Sequence, residues 1–95
     1  MNVSELLGPG ADRSGAITAG NTAQQLAPAN PSRRSLTFQN ISAADLWINP
    51  HGNPAGIDTA GSYKLVSGAF YQVQTNKAVS VIGATTGQKF TATEV

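Results

Sequence analysis

The sequence predicts an all-β fold, a small antiparallel β-sandwich or barrel of about six to eight short strands, preceded by an extended N-terminal arm. Three observations carry that expectation. Apolar residues recur at every second position in several short runs, as in Leu36 and Phe38 or Phe90 and Ala92, which is the period of a strand with one wet and one buried face. Clusters of glycine, proline, serine and asparagine separate those runs at short intervals, where a chain must turn. No stretch of useful length repeats apolar residues at helical spacing.

Taken in order, Met1 to Gly10 allows at most a turn of helix around Glu5 to Leu7 before Gly8, Pro9 and Gly10 stop it. Residues 1–15 are therefore read as an arm and residues 16–95 as one domain. Ala16 to Thr18 and Ala23 to Ala27 are expected to be short strands, and Pro28 and Pro31 bracket a rigid polar connection. The stretch from Arg33 to Asn49 is the easiest to read. Leu36 and Phe38 mark one strand, Asn40 to Asp45 a turn, and Leu46 to Ile48 a second strand. Paired as a hairpin, these strands would place Leu36, Phe38, Leu46 and Ile48 in one buried layer. Pro50 to Gly61 is the longest loop, with two prolines and three glycines, and loops of this length are favoured places for a contact surface. Tyr63 to Val66 and Ala69 to Val73 are expected to form a second hairpin around Ser67 and Gly68. Ala78 to Ile82, with Val79 and Val81 on one face, and Gln88 to Glu94 complete the strands.

Composition limits the function. A chain of 95 residues buries only about 60 to 70% of its unfolded surface, so its core and net stability are modest. Charged residues make up 12% of it, against about 25% in an ordinary globular protein. A net charge of +1 offers no footprint of the kind that nucleic acid or anionic membranes select, and Arg33 with Arg34 is a pair and not a patch. The absence of cysteine removes disulfides, thiolate metal sites and thiol nucleophiles, and fits a reducing compartment. No signal peptide or membrane-spanning stretch is legible.

The residues that could do chemistry do not assemble into a set. His51, in the long loop, is the lone histidine, and no nucleophile or acid is singled out beside it. The five acids have no zinc, EF-hand or glycosidase spacing. The glycines do not open a helix after a strand, so they are read as turn residues and not as phosphate cradles. No cofactor, metal or catalytic residue is expected. Trp47 has two readings: packed at the core rim with its indole N–H satisfied, or an exposed anchor for a partner beside Asn49 and the His51 loop.

Several segments carry a resemblance: Asp12-Arg13-Ser14-Gly15, Thr22-Ala23-Gln24-Gln25-Leu26, Ala29-Asn30-Pro31, Arg33-Arg34, Gln39-Asn40, Asp45-Leu46-Trp47-Ile48-Asn49 and the run from Ile82 to Ala92. They resemble a group of small tailed-bacteriophage virion proteins, which includes capsid decoration or cement proteins, head fibres and β-domains attached to tail or collar. The resemblance covers nearly the whole chain after Ala11. It implies a non-enzymatic structural protein of the virion, without a cofactor, that binds the major capsid protein or other virion proteins through many repeated contacts. A homo-oligomer, dimer or trimer, is expected. The expected contact residues are Leu6, Leu7 and Ile17 in an N-terminal stretch that reaches over a neighbouring subunit, together with Arg33, Arg34, Trp47, Asn49, His51, Asn53 and Tyr63. The alternative is a module at tail or collar that binds a host receptor or glycan, with Trp47, Asn49, His51, Asn53 and Tyr63 as a polar-aromatic platform.

Overall fold

A computed structural model describes residues 10–95 and shows two antiparallel sheets packed face to face. Nine strands follow in order: β1 (Ala11–Asp12), β2 (Gly15–Ala16), β3 (Gln24–Ala27), β4 (Leu36–Asn40), β5 (Leu46–Asn49), β6 (Tyr63–Leu65), β7 (Phe70–Val73), β8 (Val79–Gly83) and β9 (Lys89–Glu94). The first sheet has the order β1-β9-β4-β7, with β2 also on β9; the second has the order β3-β8-β5-β6. Successive strands thus alternate between sheets from β2 to β5 and again from β6 to β9, and β5 and β6 are sequential neighbours in one sheet. With β1 and β2 counted as one interrupted edge strand, two sheets of four wound in this order, 2-9-4-7 on 3-8-5-6, make a jelly roll.

The two-residue period fills the space between the sheets. From the first sheet come Leu36 and Phe38 of β4, Phe90 and Ala92 of β9, and half-buried Tyr71 and Val73 of β7; from the second come Leu46, Ile48, Leu65, Val79 and Val81. Phe38 and Phe90, on adjacent strands, stack with ring centroids 5.4 Å apart. Burying each such side chain contributes roughly 1.5 to 3 kcal/mol, which must offset the ordering entropy of a chain this short.

The four residues expected to share a layer do share it, but not as a hairpin. β4 lies in one sheet and β5 in the other, so residues 41–45 form an arch over the end of the sandwich. Asn40 builds that corner. It follows Leu36 and Phe38 on the inward face and is fully buried, where its Nδ2 donates to the carbonyls of Ala44 (2.7 Å) and Leu65 (2.8 Å) and its Oδ1 accepts from the Ser42 backbone (2.9 Å) and hydroxyl (2.7 Å). A polar side chain there satisfies backbone groups that a crossing chain leaves without ladder partners. The second expected hairpin is likewise an arch. β6 pairs β5 while β7 pairs β4, Gly68 takes a left-handed φ of 81°, and the Ser67 hydroxyl donates to the Ser42 carbonyl (2.6 Å).

The long loop folds back on its own sheet. Trp47 and Ile82 point away from the main core on the outer face of the second sheet, and Ala55 covers them with half-buried Ile57 and Ala23. The Ala55 N–H donates to the Ser80 hydroxyl (2.9 Å) and the Gly52 N–H to the Ala78 carbonyl (3.1 Å). A second, smaller apolar layer results, which is why every residue of β5 is buried.

Leu6, Leu7 and the rest of residues 1–9 lie outside the described residues. The stretch that follows, as far as about residue 30, was expected to reach a neighbour, but it is built into the domain itself. Ala11 and Asp12 pair with Glu94 and Thr93, Gly15 and Ala16 with Phe90 and Lys89, and β3 with β8.

Candidate functional site

Burial divides the expected contact residues. Ile17 is 1% exposed and belongs to the core, its backbone bonded to Gln88 and Gly87. Arg33 is buried as well. Its Nε donates to Glu94 Oε2 at 2.6 Å, its Nη1 to the carbonyls of Thr75 and Lys77, and its Nη2 to that of Pro28. An arginine used in this way ties together three segments and is not available to a partner. Glu94 also accepts from the Arg13 Nη2 at 2.9 Å. Burial pushes the Glu94 carboxyl up, but the hydrogen bonds and charges of Arg13 and Arg33 outweigh it and hold its pKa below the ordinary range. Trp47 is packed against Ala55 and Ile82 and is not an exposed anchor, with the Lys64 ammonium 5.9 Å from the ring centroid. Asn49 is buried, its Oδ1 accepting from the His51 backbone at 2.8 Å. Arg34, His51, Asn53 and Tyr63 are on the surface.

The structure assembles two surface features from residues on either side of these. At one open side of the sandwich run the edge strands β6 and β7, one from each sheet. Tyr63 and Tyr71 bridge them with ring centroids 5.2 Å apart, and the His51 ring stands 6.5 Å from Tyr63. A shallow groove of about 510 Å³ along this side is lined by the two tyrosines, Gln72, Val73 and Gln74. Burial raises the Tyr71 hydroxyl pKa, with Tyr63 adding to it, so the Tyr71 phenol is a neutral donor at neutral pH.

The second feature lies where the two arches meet. The Gly68 N–H donates to the Asn40 carbonyl (2.7 Å) and the Ala69 N–H to the Val66 carbonyl (2.9 Å). This clasp brings Ile41, Val66 and Phe70 to the same end of the sandwich, where they are 52%, 54% and 65% exposed. Large apolar side chains grouped in this way on a small domain mark an interaction surface more often than isolated ones do. They were not among the residues expected to make contacts. The signal for Phe70 is present in its strand: Tyr71 and Val73 alternate inward, so Phe70 falls with Gln72 on the outer face. Ile41 and Val66 follow β4 and β6 in arches, where the period stops being informative.

Among the described residues, no group of three or more histidine, cysteine, aspartate or glutamate side chains could hold a metal ion. No family model matches the chain, and no curated protein or solved structure is significantly similar to it.

Proposed function

We propose that this chain is a non-enzymatic structural protein of a bacteriophage virion, which binds the capsid as a decoration, cement or head-fibre component through repeated protein-protein contacts. The observation that carries this reading is the exposed apolar end formed by Ile41, Val66 and Phe70 on a surface with few charges. Such a patch is small for a stable one-to-one complex, but a shell presents the same contact many times, and an oligomer that engages several copies gains avidity without any new contact. The resemblance of the sequence to small virion proteins supplies the kind of shell. The jelly roll is compatible with it by analogy, since this architecture serves viral capsid domains as well as lectins and cupins.

The test is occupancy on particles. Capsids assembled without the protein should take it up on addition, measured by co-sedimentation and quantitative gel, and Ile41→Lys with Val66→Lys should reduce uptake at least tenfold while leaving the fold intact. Uptake unaffected by these changes, or no uptake at all, overturns the reading.

A second reading rests on the Tyr63, Tyr71 and His51 rings beside the open groove. Aromatic faces with polar tips suit a sugar ring, as a receptor- or glycan-binding module at tail or collar would require. A glycan array separates the readings, with binding abolished by Tyr63→Ala as the expected outcome of this one.

A further inference from the structure

We propose that β7 is a self-pairing edge, through which two copies of this chain join their first sheets about a two-fold axis that passes beside Gln72. The inference goes beyond capsid attachment and stands on a different observation, the backbone of one edge strand.

An edge strand presents unpaired N–H and C=O groups, and proteins that remain monomeric blunt such edges with short strands, bulges, proline or charge. Among the described residues, three of the four sheet edges are blunted. The β1/β2 edge is two fragments of two residues each, with Asp12 exposed at the end of the first. β3 carries a register shift between Gln25 and Ala27 and is followed by Pro28. β6 is three residues long and presents Lys64, paired with Asp45 at 3.5 Å. β7 has none of these devices. It is regular across all four of its pairings with β4, and from Val66 to Gln74 the sequence contains no charge and no proline.

The register shows which groups face outward. The Asn40 N–H donates to the Ala69 carbonyl at 3.0 Å and its carbonyl accepts from the Gly68 N–H at 2.7 Å, so both backbone groups of Asn40 face β7. Along an antiparallel ladder successive residues direct these groups to opposite sides, and residues facing β7 on β4 alternate with those facing β9. Tyr71 and Val73 therefore direct their backbone groups to Phe38 and Leu36, while Phe70 and Gln72, and Gln74 just beyond the strand, direct theirs away from the sheet.

A second copy fits this edge better than an unrelated strand of opposite charge would. An antiparallel pair of identical strands is isologous: Gln72 faces its twin and Phe70 faces Gln74 of the other copy, for up to about six backbone hydrogen bonds. In such an arrangement any charge near the axis meets its own like charge. A run of nine residues without one is therefore compatible with self-pairing and offers nothing to steer a charged partner. Pairing also places Phe70 against the neighbouring copy and turns the two first sheets into one continuous sheet.

The test uses the full chain, free of capsids, so that a failure here leaves the capsid reading standing and a failure there leaves this one. Sedimentation velocity should give a species of twice the 9.8 kDa chain mass at micromolar concentration. Gln72→Lys, on an exposed position that places like charges together at the axis, should weaken association at least tenfold without changing the circular dichroism spectrum. Because the chain has no cysteine, Gln72→Cys supplies a direct probe. Facing Cα atoms in such a pair lie about 5.5 Å apart, within disulfide reach, so mild oxidation should yield a covalent dimer. Thr91→Cys, exposed on β9 in the middle of the same sheet, should not. A wild-type chain that stays monomeric at several hundred micromolar overturns the proposal. So does a dimer that survives Gln72→Lys, or cross-linking at position 91 as efficient as at 72.

Discussion

Arg33 and Glu94 meet inside the protein, Nε to Oε2 at 2.6 Å, with side chains 0% and 5% exposed. The pair joins the segment that enters β4 to the end of β9, and Arg13 brings the first strands to the same carboxylate. Removing one partner leaves the other charge buried and costs roughly 3 to 5 kcal/mol. Arg33→Met is expected to lose at least that much in urea denaturation, since it also strands the carbonyls of Pro28, Thr75 and Lys77. Glu94→Gln should lose less, because the amide oxygen still accepts.

The same carboxylate gives the protein an acid limb. Its folded pKa lies below the ordinary value of 4.5, so the stabilisation is complete above that value and is lost as pH falls from there through the folded pKa. Thermal melts between pH 7 and pH 2 should show the midpoint falling below about pH 4.5, with a shallower fall in Glu94→Gln.

Phe38→Ala removes a side chain that is completely buried and stacked on Phe90. Such truncations cost about 3 to 5 kcal/mol, a large share of what a domain of this length has. The variant should be largely unfolded at 37 °C by circular dichroism, whereas Thr93→Ala, on the exposed face of β9, should melt close to wild type.

Asn40→Ala removes the buried donor of the Leu65 carbonyl and one of the two donors of the Ala44 carbonyl, which keeps the Ser42 hydroxyl. At about 1 to 3 kcal/mol for a buried group left unsatisfied, it should destabilise measurably. Ser42→Ala, whose hydroxyl is half-buried, should cost less. Chemical denaturation of both checks the order.

Trp47 reports on the long loop. Because it lies beneath Ala55 and Ile57, native emission should be blue-shifted from that of the unfolded chain. Ile57→Ser should move it to the red without loss of β-sheet signal.

The strands are legible from residues because alternation is a local property. Leu36 with Phe38, Val79 with Val81 and Phe90 with Ala92 each declare a face. Which strands pair is not local, and both expected hairpins failed for that reason. Residues 41–45 and 66–69 are short enough to turn back beside the preceding strand or to cross to the facing sheet, and turn composition is the same in both. The distinguishing sign lies at Asn40 and Glu94. Each continues an inward-facing series, after Phe38 in one strand and after Ala92 in the other, so each is a polar group committed to the interior and in need of dedicated partners. The partners, Leu65, Arg13 and Arg33, come from elsewhere in the chain, and only the folded arrangement identifies them. The exposure of the expected contact residues was legible in part: His51 and Tyr63 lie on the surface, while Trp47 and Asn49 are buried beneath the loop that covers β5.

The position of β9 has a consequence for how the molecule is made. This strand bonds β1 and β2 on one side and β4 on the other, yet a ribosome adds it after all of them. Until residues 89–94 clear the exit tunnel, three strands wait with their inner edges open and the interior lacks Phe90 and Ala92. The jelly roll therefore closes only after β9 has emerged, and a nascent chain stalled short of Lys89 is the species that chaperones must hold.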